Sequence, residues 1–254
     1  MQQHLLNIKK LLDIEVGKKN CLDGLLSEAD PLRVAKMYED EVIALICALF
    51  AYGNARLIER FLRSLDFNLL NDERVIEKEL DNRYYRFQSI NDVKEIFITF
   101  SRIKKEGGLK AFFLEGYRKN QDVMDGLSCL IEKIYSLNRY SSTGYEFFFG
   151  KIPDKKHTSP YKRYHMFLRW MVRQDELDIG LWQEVSKSHL LMPLDVHTFN
   201  VSKKLGLLKR KTYDFKAVLE LTETLCSFDK NDPIKYDFAL YRLGQSKEID
   251  KLIL

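Results

Sequence analysis

In DEVIALICALFAYGNAR, Asp40 to Arg56, an apolar run from Val42 to Tyr52 stands between an acidic residue and a Gly-Asn pair. The run falls well short of the ~20 apolar residues a helix needs to cross a bilayer, so it reads as a buried helix, and a buried helix needs other helices around it. Those are present. Leu5, Leu6, Ile8, Leu11 and Leu12 form one stripe at helical spacing, and Val93, Ile96, Phe97, Phe100 and Ile103 form another that stops at Gly107-Gly108. The same periodicity runs from about Glu39 to Tyr52, Ala55 to Leu65, Gln121 to Leu137, Pro160 to Arg173, Val196 to Leu205, Phe215 to Phe228 and Asp232 to Leu243. No run alternates as a half-buried strand does. The expected fold is all-α, with two helical lobes: a central one over 26–187 and a second made of 1–25 with 188–254, the N-terminal helix returning to pack on the C-terminal lobe.

Composition agrees. Of the 254 residues 45 % are hydrophobic and 31 % charged, against 12 Gly and 5 Pro, which suits a folded helical chain rather than a disordered one. A net charge of +4 allows a nucleic-acid partner without identifying one. The N-terminal MQQHLLNIKKLL lacks the pattern of a secretory signal, so the expected location is the cytoplasm. Cys21, Cys47, Cys129 and Cys226 are scattered and form no CxxC, so no local zinc or iron–sulfur site is written and reduced thiols are expected. The long irregular stretch is Asn138 to Ser159, which carries Gly144, Gly150, Pro153 and a basic cluster, Lys151, Lys155, Lys156 and His157.

That loop feeds SPYKRYHMFLRWMVR, Ser159 to Arg173, in which Ser159 reads as an N-cap and Pro160 as the first helical residue. Lys162 then falls in the first turn. A cation there sits against the helix dipole, and the same field, with partial burial beside Tyr161 and Phe167, favours the neutral amine that a Schiff-base lysine requires. The local residues equally allow Lys162 to point at solvent or at a phosphate. In LMPLDVHTFNVSKKLGLLKRK, Leu191 to Lys211, Asp195 is an N-cap by position, and capping alone accounts for an aspartate there. A capping carboxylate is also held ionised in a fixed direction. Asp195 and His197 make a D-x-H pair with no third metal ligand in the sequence.

PLDVHTFNVSKKLGL resembles the segment of helix–hairpin–helix DNA glycosylases in which a V-D-T-H-type sequence supplies the catalytic aspartate and an R-L-G-L-type sequence ends the helix. DEVIALICALFAYGNAR is similar to the buried helix and turn that in those enzymes lead to a residue wedged into DNA. The spacing from Lys162 to Asp195 is wider than in endonuclease III-like members and similar to the archaeal 8-oxoguanine glycosylases, whose lysine also lies in a Y-K context. With DPIKYDFALYRLG, the two motifs together resemble a bacterial family of conserved proteins without an assigned function, over about Asp30 to Gln245. The usual L-P-G-V-G hairpin before the lysine is absent, leaving Gly150 and KIPDKKHTSP to grip phosphate.

The resemblance implies two helical lobes flanking a cleft into which a damaged base is flipped. Lys162 would attack the sugar C1′ and form a Schiff base that permits strand cleavage, and Asp195 would stabilise the charge developing on the sugar. Trp170, Trp182, Asp237 and Phe238 are the expected base pocket, although a capping role for Asp237 and a core role for both tryptophans are open. Tyr52 and Asn54 would form the wedge after Gly53, or else an ordinary helix end. Lys151, Lys155, Lys156, Arg163, Lys203 and Lys204 would meet phosphates, with Lys209, Arg210 and Lys211 nearby. The implied function is a bifunctional DNA glycosylase/AP lyase acting on an oxidised purine, 8-oxoguanine above all. It would work as a monomer on damaged double-stranded DNA, with no cofactor, no metal and no membrane, in the cytoplasm at the nucleoid. The competing readings are a non-catalytic protein that binds DNA structure or a partner, and a metal-dependent hydrolase using Asp195 and His197.

Overall fold

A computed structural model describes residues 2–80, 82–154 and 158–246. Among these the chain is helical, without a strand; two isolated bridges, Tyr85 with Gln88 and Gln174 with Ile179, are the extended pairings. In chain order the helices are α1 (Gln2–Lys19), α2 (Leu22–Leu26), α3 (Pro31–Ala35), α4 (Glu41–Leu49), α5 (Ala55–Arg63), α6 (Glu73–Glu79) and α7 (Ile90–Lys105). They continue with α8 (Leu109–Asn120), α9 (Val123–Leu137), α10 (Thr143–Phe149), α11 (Lys162–Val172), α12 (Val196–Lys204), α13 (Phe215–Cys226) and α14 (Asp237–Ser246). Single 3-10 turns lie at Phe67–Asn71, Lys187–His189 and Pro233–Tyr236.

Most of these helices begin on a side-chain cap, which accounts for much of the aspartate in the sequence. Asp40 accepts from the amides of Val42 and Ile43, and Ser89 with Asp92 forms a reciprocal capping box at the start of α7. The run that opens the sequence reading is α4, buried at every position from Val42 to Leu49. No described helix is long and apolar enough to cross a membrane.

The chain divides into two compact units, Asp30–Lys156 and Met1–Ala29 with His157–Leu254. In the first, α4 sits in a core rich in aromatic rings: Phe50 packs on Phe148 at 4.6 Å and edge-on to Phe61 at 4.9 Å. The stretch expected to be irregular, Asn138 to Ser159, holds α10 instead. Ser142 caps it, its hydroxyl accepting from the Tyr145 amide, and Tyr145, Phe148 and Phe149 are buried. The breaker Gly144 is what lets α10 approach closely, because a Cβ there would lie 2.4 Å from Asp92 Oδ2 and 2.5 Å from the Phe87 carbonyl oxygen.

In the second unit α1 packs on α14, as expected for a returning N-terminal helix. The Tyr236 hydroxyl donates to Asp13 at 3.0 Å, Asn20 Nδ2 donates to the Lys235 carbonyl at 2.8 Å, and a His4 ring nitrogen lies 3.0 Å from the Leu205 carbonyl. The sequence reading places the boundary after 187, which leaves the lysine motif in the central lobe; the structural division falls at Lys156/His157 and groups that motif with the aspartate motif. The physical link is ionic: Arg169 on α11 and Arg173 just after it pair with Asp237 and Asp232 of the C-terminal segment.

Candidate functional site

Helix α11 starts later than its sequence suggests. Ser159 Oγ lies 3.5 Å from the Tyr161 amide, too long for a cap, and Pro160 precedes the helix. The Phe215 amide donates to the Thr158 carbonyl at 2.8 Å, anchoring the strand of chain before the helix. Tyr161 takes a left-handed backbone, φ 44°, and its carbonyl accepts from the amides of Tyr164 and His165. Lys162 is therefore the first helical residue. It is half-buried, and its Nζ donates to Met166 Sδ at 3.2 Å.

Asp195 caps α12, with Oδ1 accepting from the Thr198 amide at 2.8 Å. No further hydrogen bond to this half-buried carboxylate is present among the described residues, so one oxygen is fixed by the cap and the other is available. Beside it, Tyr213 donates from its hydroxyl to the Leu194 carbonyl at 2.8 Å. Burial, with the Asp195 charge adding to it, pushes the Tyr213 phenol up to about 12.

Asp237 is the first residue of α14. Its carboxyl is buried and receives Arg169 Nη1 at 2.6 Å. Burial raises its pKa above the ordinary aspartate value; Arg169 and then Lys162 pull it down, and Asp195 pushes it up. Lys162, Asp195 and Asp237 stand at the N-terminal ends of α11, α12 and α14.

A family model described as a protein of unknown function, DUF2400, matches residues 30–246. The chain belongs to this family. The span that defines DUF2400 in this chain contains Lys162, Asp195 and Asp237 as well as the whole first unit. No curated protein matches the chain, and no solved structure matches it.

The DUF2400 span also contains a buried ionic network that the sequence reading did not single out. Arg169, 4 % exposed, binds Asp178 at 3.0 Å as well as Asp237. Arg173, the residue that follows α11, reaches Asp178 and Asp175 at 2.8 Å each and Asp232 at 3.1 Å. Asp178 has no exposed side-chain surface; burial outweighs the two guanidinium groups and carries its pKa up to about 6. The signal was available in RWMVRQDELD, Arg169 to Asp178, where two arginines at i and i+4 precede three acids.

The other expected site residues fall in several environments. Trp170 and Trp182 are 1 % and 0 % exposed, Trp182 edge-on to Phe167 at 5.2 Å, so the faces a base would stack on are covered by the core. Phe238 is buried, with the guanidinium groups of Arg242 and Arg169 over its ring at 4.7 and 5.8 Å. Tyr52 and Asn54 lie in the other unit: Asn54 is an exposed N-cap of α5, and Tyr52 belongs to an aromatic cluster with Phe87 and Phe147. Lys151, Lys203 and Lys204 are exposed and Arg163 is half-buried, while Lys155 and Lys156 lie outside the described residues. Lys203 rests over Phe199 at 5.3 Å. Arg210 pairs with Asp214, and the amides of Lys209 and Arg210 donate to Glu220, so part of the basic run KKLGLLKRK serves the fold. His197 is exposed, and among the described residues no group of three His, Cys, Asp or Glu side chains is placed to hold a metal ion. All four cysteines are free, with burial pushing the Cys47 thiol up.

Proposed function

We propose that this DUF2400 protein is a DNA glycosylase with associated lyase activity that excises an oxidised purine, 8-oxoguanine above all, from double-stranded DNA. The observation that carries the reading is that Lys162 opens α11 and Asp195 caps α12 within one compact unit. Nucleophilic displacement at a sugar carbon calls for this pair. The lysine Nζ forms a bond to C1′ as the bond from C1′ to the base breaks, the bond pair leaving with the base, which is then protonated. The available oxygen of Asp195 faces the positive charge that develops on the sugar, an arrangement glycosidases also use. Loss of the ring oxygen's bond to C1′ then gives the Schiff base, from which β-elimination breaks the strand. Asp237, held by Arg169, supplies a fixed acceptor or donor for a flipped base. The protein would act as a monomer, in the cytoplasm at the nucleoid.

The test is borohydride trapping. Wild type incubated with an 8-oxoguanine duplex and borohydride should give a covalent adduct, and Lys162→Ala should give none. No adduct with several oxidised-purine duplexes, alongside salt-sensitive duplex binding, would overturn excision. It would favour a protein that binds DNA structure without chemistry, a reading supported by the missing hairpin glycines before Lys162.

A further inference from the structure

The loop NRYYRFQ, Asn82 to Gln88, is the most aromatic exposed segment of the first unit, and it contains two arginines and no acid. It is tightly held. Tyr85 and Gln88 exchange backbone hydrogen bonds of 3.1 and 2.9 Å around a turn in which Arg86 is left-handed, φ 52°. Gln88 Nε2 donates to the Gly144 carbonyl at 2.8 Å, its Oε1 accepts from the Tyr52 hydroxyl, and the Tyr85 hydroxyl donates to the Tyr52 carbonyl at 2.9 Å. These bonds turn Tyr85 and Gln88 inward, at 7 % and 2 % exposure, and leave Tyr84 and Phe87 outward at 71 % and 57 %.

The outward rings are organised. Phe87 lies nearly parallel to Tyr52, 14° between planes and 6.0 Å between centroids, and Phe147, 41 % exposed, stands edge-on to both at 4.9 and 5.0 Å. The Arg86 guanidinium lies over Phe87 at 5.5 Å, and Gly53, φ 110°, gives it room, since a Cβ there would come within 3.0 Å of Nη1. Arg56 and Arg83 are exposed on the adjoining segments. Glu146 beside Phe147 accepts from Ser141 Oγ at 2.6 Å, and Asp92, near the Phe87 backbone, accepts from the Tyr140 and Ser142 hydroxyls.

Phe87 and Phe147, exposed and packed on Tyr52 and on each other, with the exposed Tyr84 in the same loop and arginines alongside, match a partner that carries π-faces and negative charge on alternate groups, as unpaired nucleotides do. A preorganised surface of this kind loses little side-chain entropy on binding. We propose that Tyr84, Phe87 and Phe147 form a stacking platform for the bases of single-stranded DNA, with Arg83 and Arg86 on its phosphates. The proposal does not rest on Lys162 or Asp195, which lie in the other unit.

Fluorescence anisotropy of the full chain with a labelled 20-mer oligodeoxythymidine, against a duplex of equal length, tests it. The single strand should bind more tightly than the duplex. Phe87→Ala should weaken single-strand binding about 5-fold or more, Phe87→Trp should retain it, and replacing Arg83 and Arg86 by Ala should flatten its salt dependence. Thermal melting monitors folding, with Phe87→Leu as the substitute where Ala unfolds the chain; Leu keeps apolar bulk and lacks the π-face, so it too should bind weakly. Equal affinity for both DNA forms, or unchanged binding by the folded Phe87 variant, overturns the proposal. Single-strand binding is read by anisotropy and excision by adduct formation, so failure of this surface and failure of excision give different results.

Discussion

Arg169 on α11 donates to Asp237 at the start of α14 at 2.6 Å, both side chains buried, and the same guanidinium reaches Asp178 at 3.0 Å. One cation thus holds two buried carboxyls that belong to segments distant in sequence. Removing it leaves Asp237 without its arginine and Asp178 with Arg173 alone, which costs far more than the intact pair contributes. Arg169→Met is therefore expected to lower unfolding free energy by about 3–5 kcal/mol, measured by urea denaturation at pH 7. A loss below about 1 kcal/mol would mean that solvent reaches the two acids.

Asp195→Asn separates capping from charge. Asparagine caps as well as aspartate, so the melting temperature should hardly move while excision slows by about 100-fold or more in a single-turnover assay on an 8-oxoguanine duplex. Asp195→Ala should lose the same activity and in addition about 1 kcal/mol of stability. Equal activity of wild type and Asp195→Asn would leave the aspartate as a cap alone.

The pH dependence of stability should carry the signature of Asp178. Its pKa in the fold is raised from 3.8 to about 6 by burial, so the native state holds the proton more tightly than the unfolded chain does. The contribution of this group is fully present below 3.8 and is lost as pH rises through about 6. Carboxyls with lowered pKa, such as Asp92 and Glu73, act with the opposite sign at more acid pH. Comparing unfolding free energies of wild type and Asp178→Asn across pH should show wild type losing ground over that window and a flat difference above it. A difference independent of pH would show that the arginines keep Asp178 ionised throughout.

Gln88→Leu removes the side-chain bonds to the Gly144 carbonyl and the Tyr52 hydroxyl, leaving buried partners unmatched. A cost of about 1–3 kcal/mol is expected. Hydrogen exchange should quicken at the Tyr85 and Gln88 amides, which close the turn. Unchanged exchange there would mean that ring packing alone holds the loop.

Much of the fold is legible in the sequence because helices write their faces locally. The stripe from Val93 to Ile103 became α7, ended near Gly107-Gly108 as expected, and the run from Val42 became the wholly buried α4. Short or atypically started elements escaped. α10 hides among glycines and lacks the length to show a period, and α11 begins on a left-handed tyrosine that no propensity favours. Lys162 and Asp195 stood out as residues at helix starts, yet Trp170 and Trp182, chosen for their rings, are packed into the core.

What the sequence determined by itself is an all-helical chain, the aspartate cap of α12, and the two motifs around Lys162 and Asp195. These depend on neighbours within one or two turns, where spacing is the physics. Only the tertiary structure decided that the lysine and aspartate motifs share a unit and that Arg169 holds Asp178 and Asp237 together. It alone turned Tyr84 and Phe87 outward while burying Tyr85 and Gln88. Burial and charge pairing across long separations set these outcomes, and neither leaves a periodic trace in the chain.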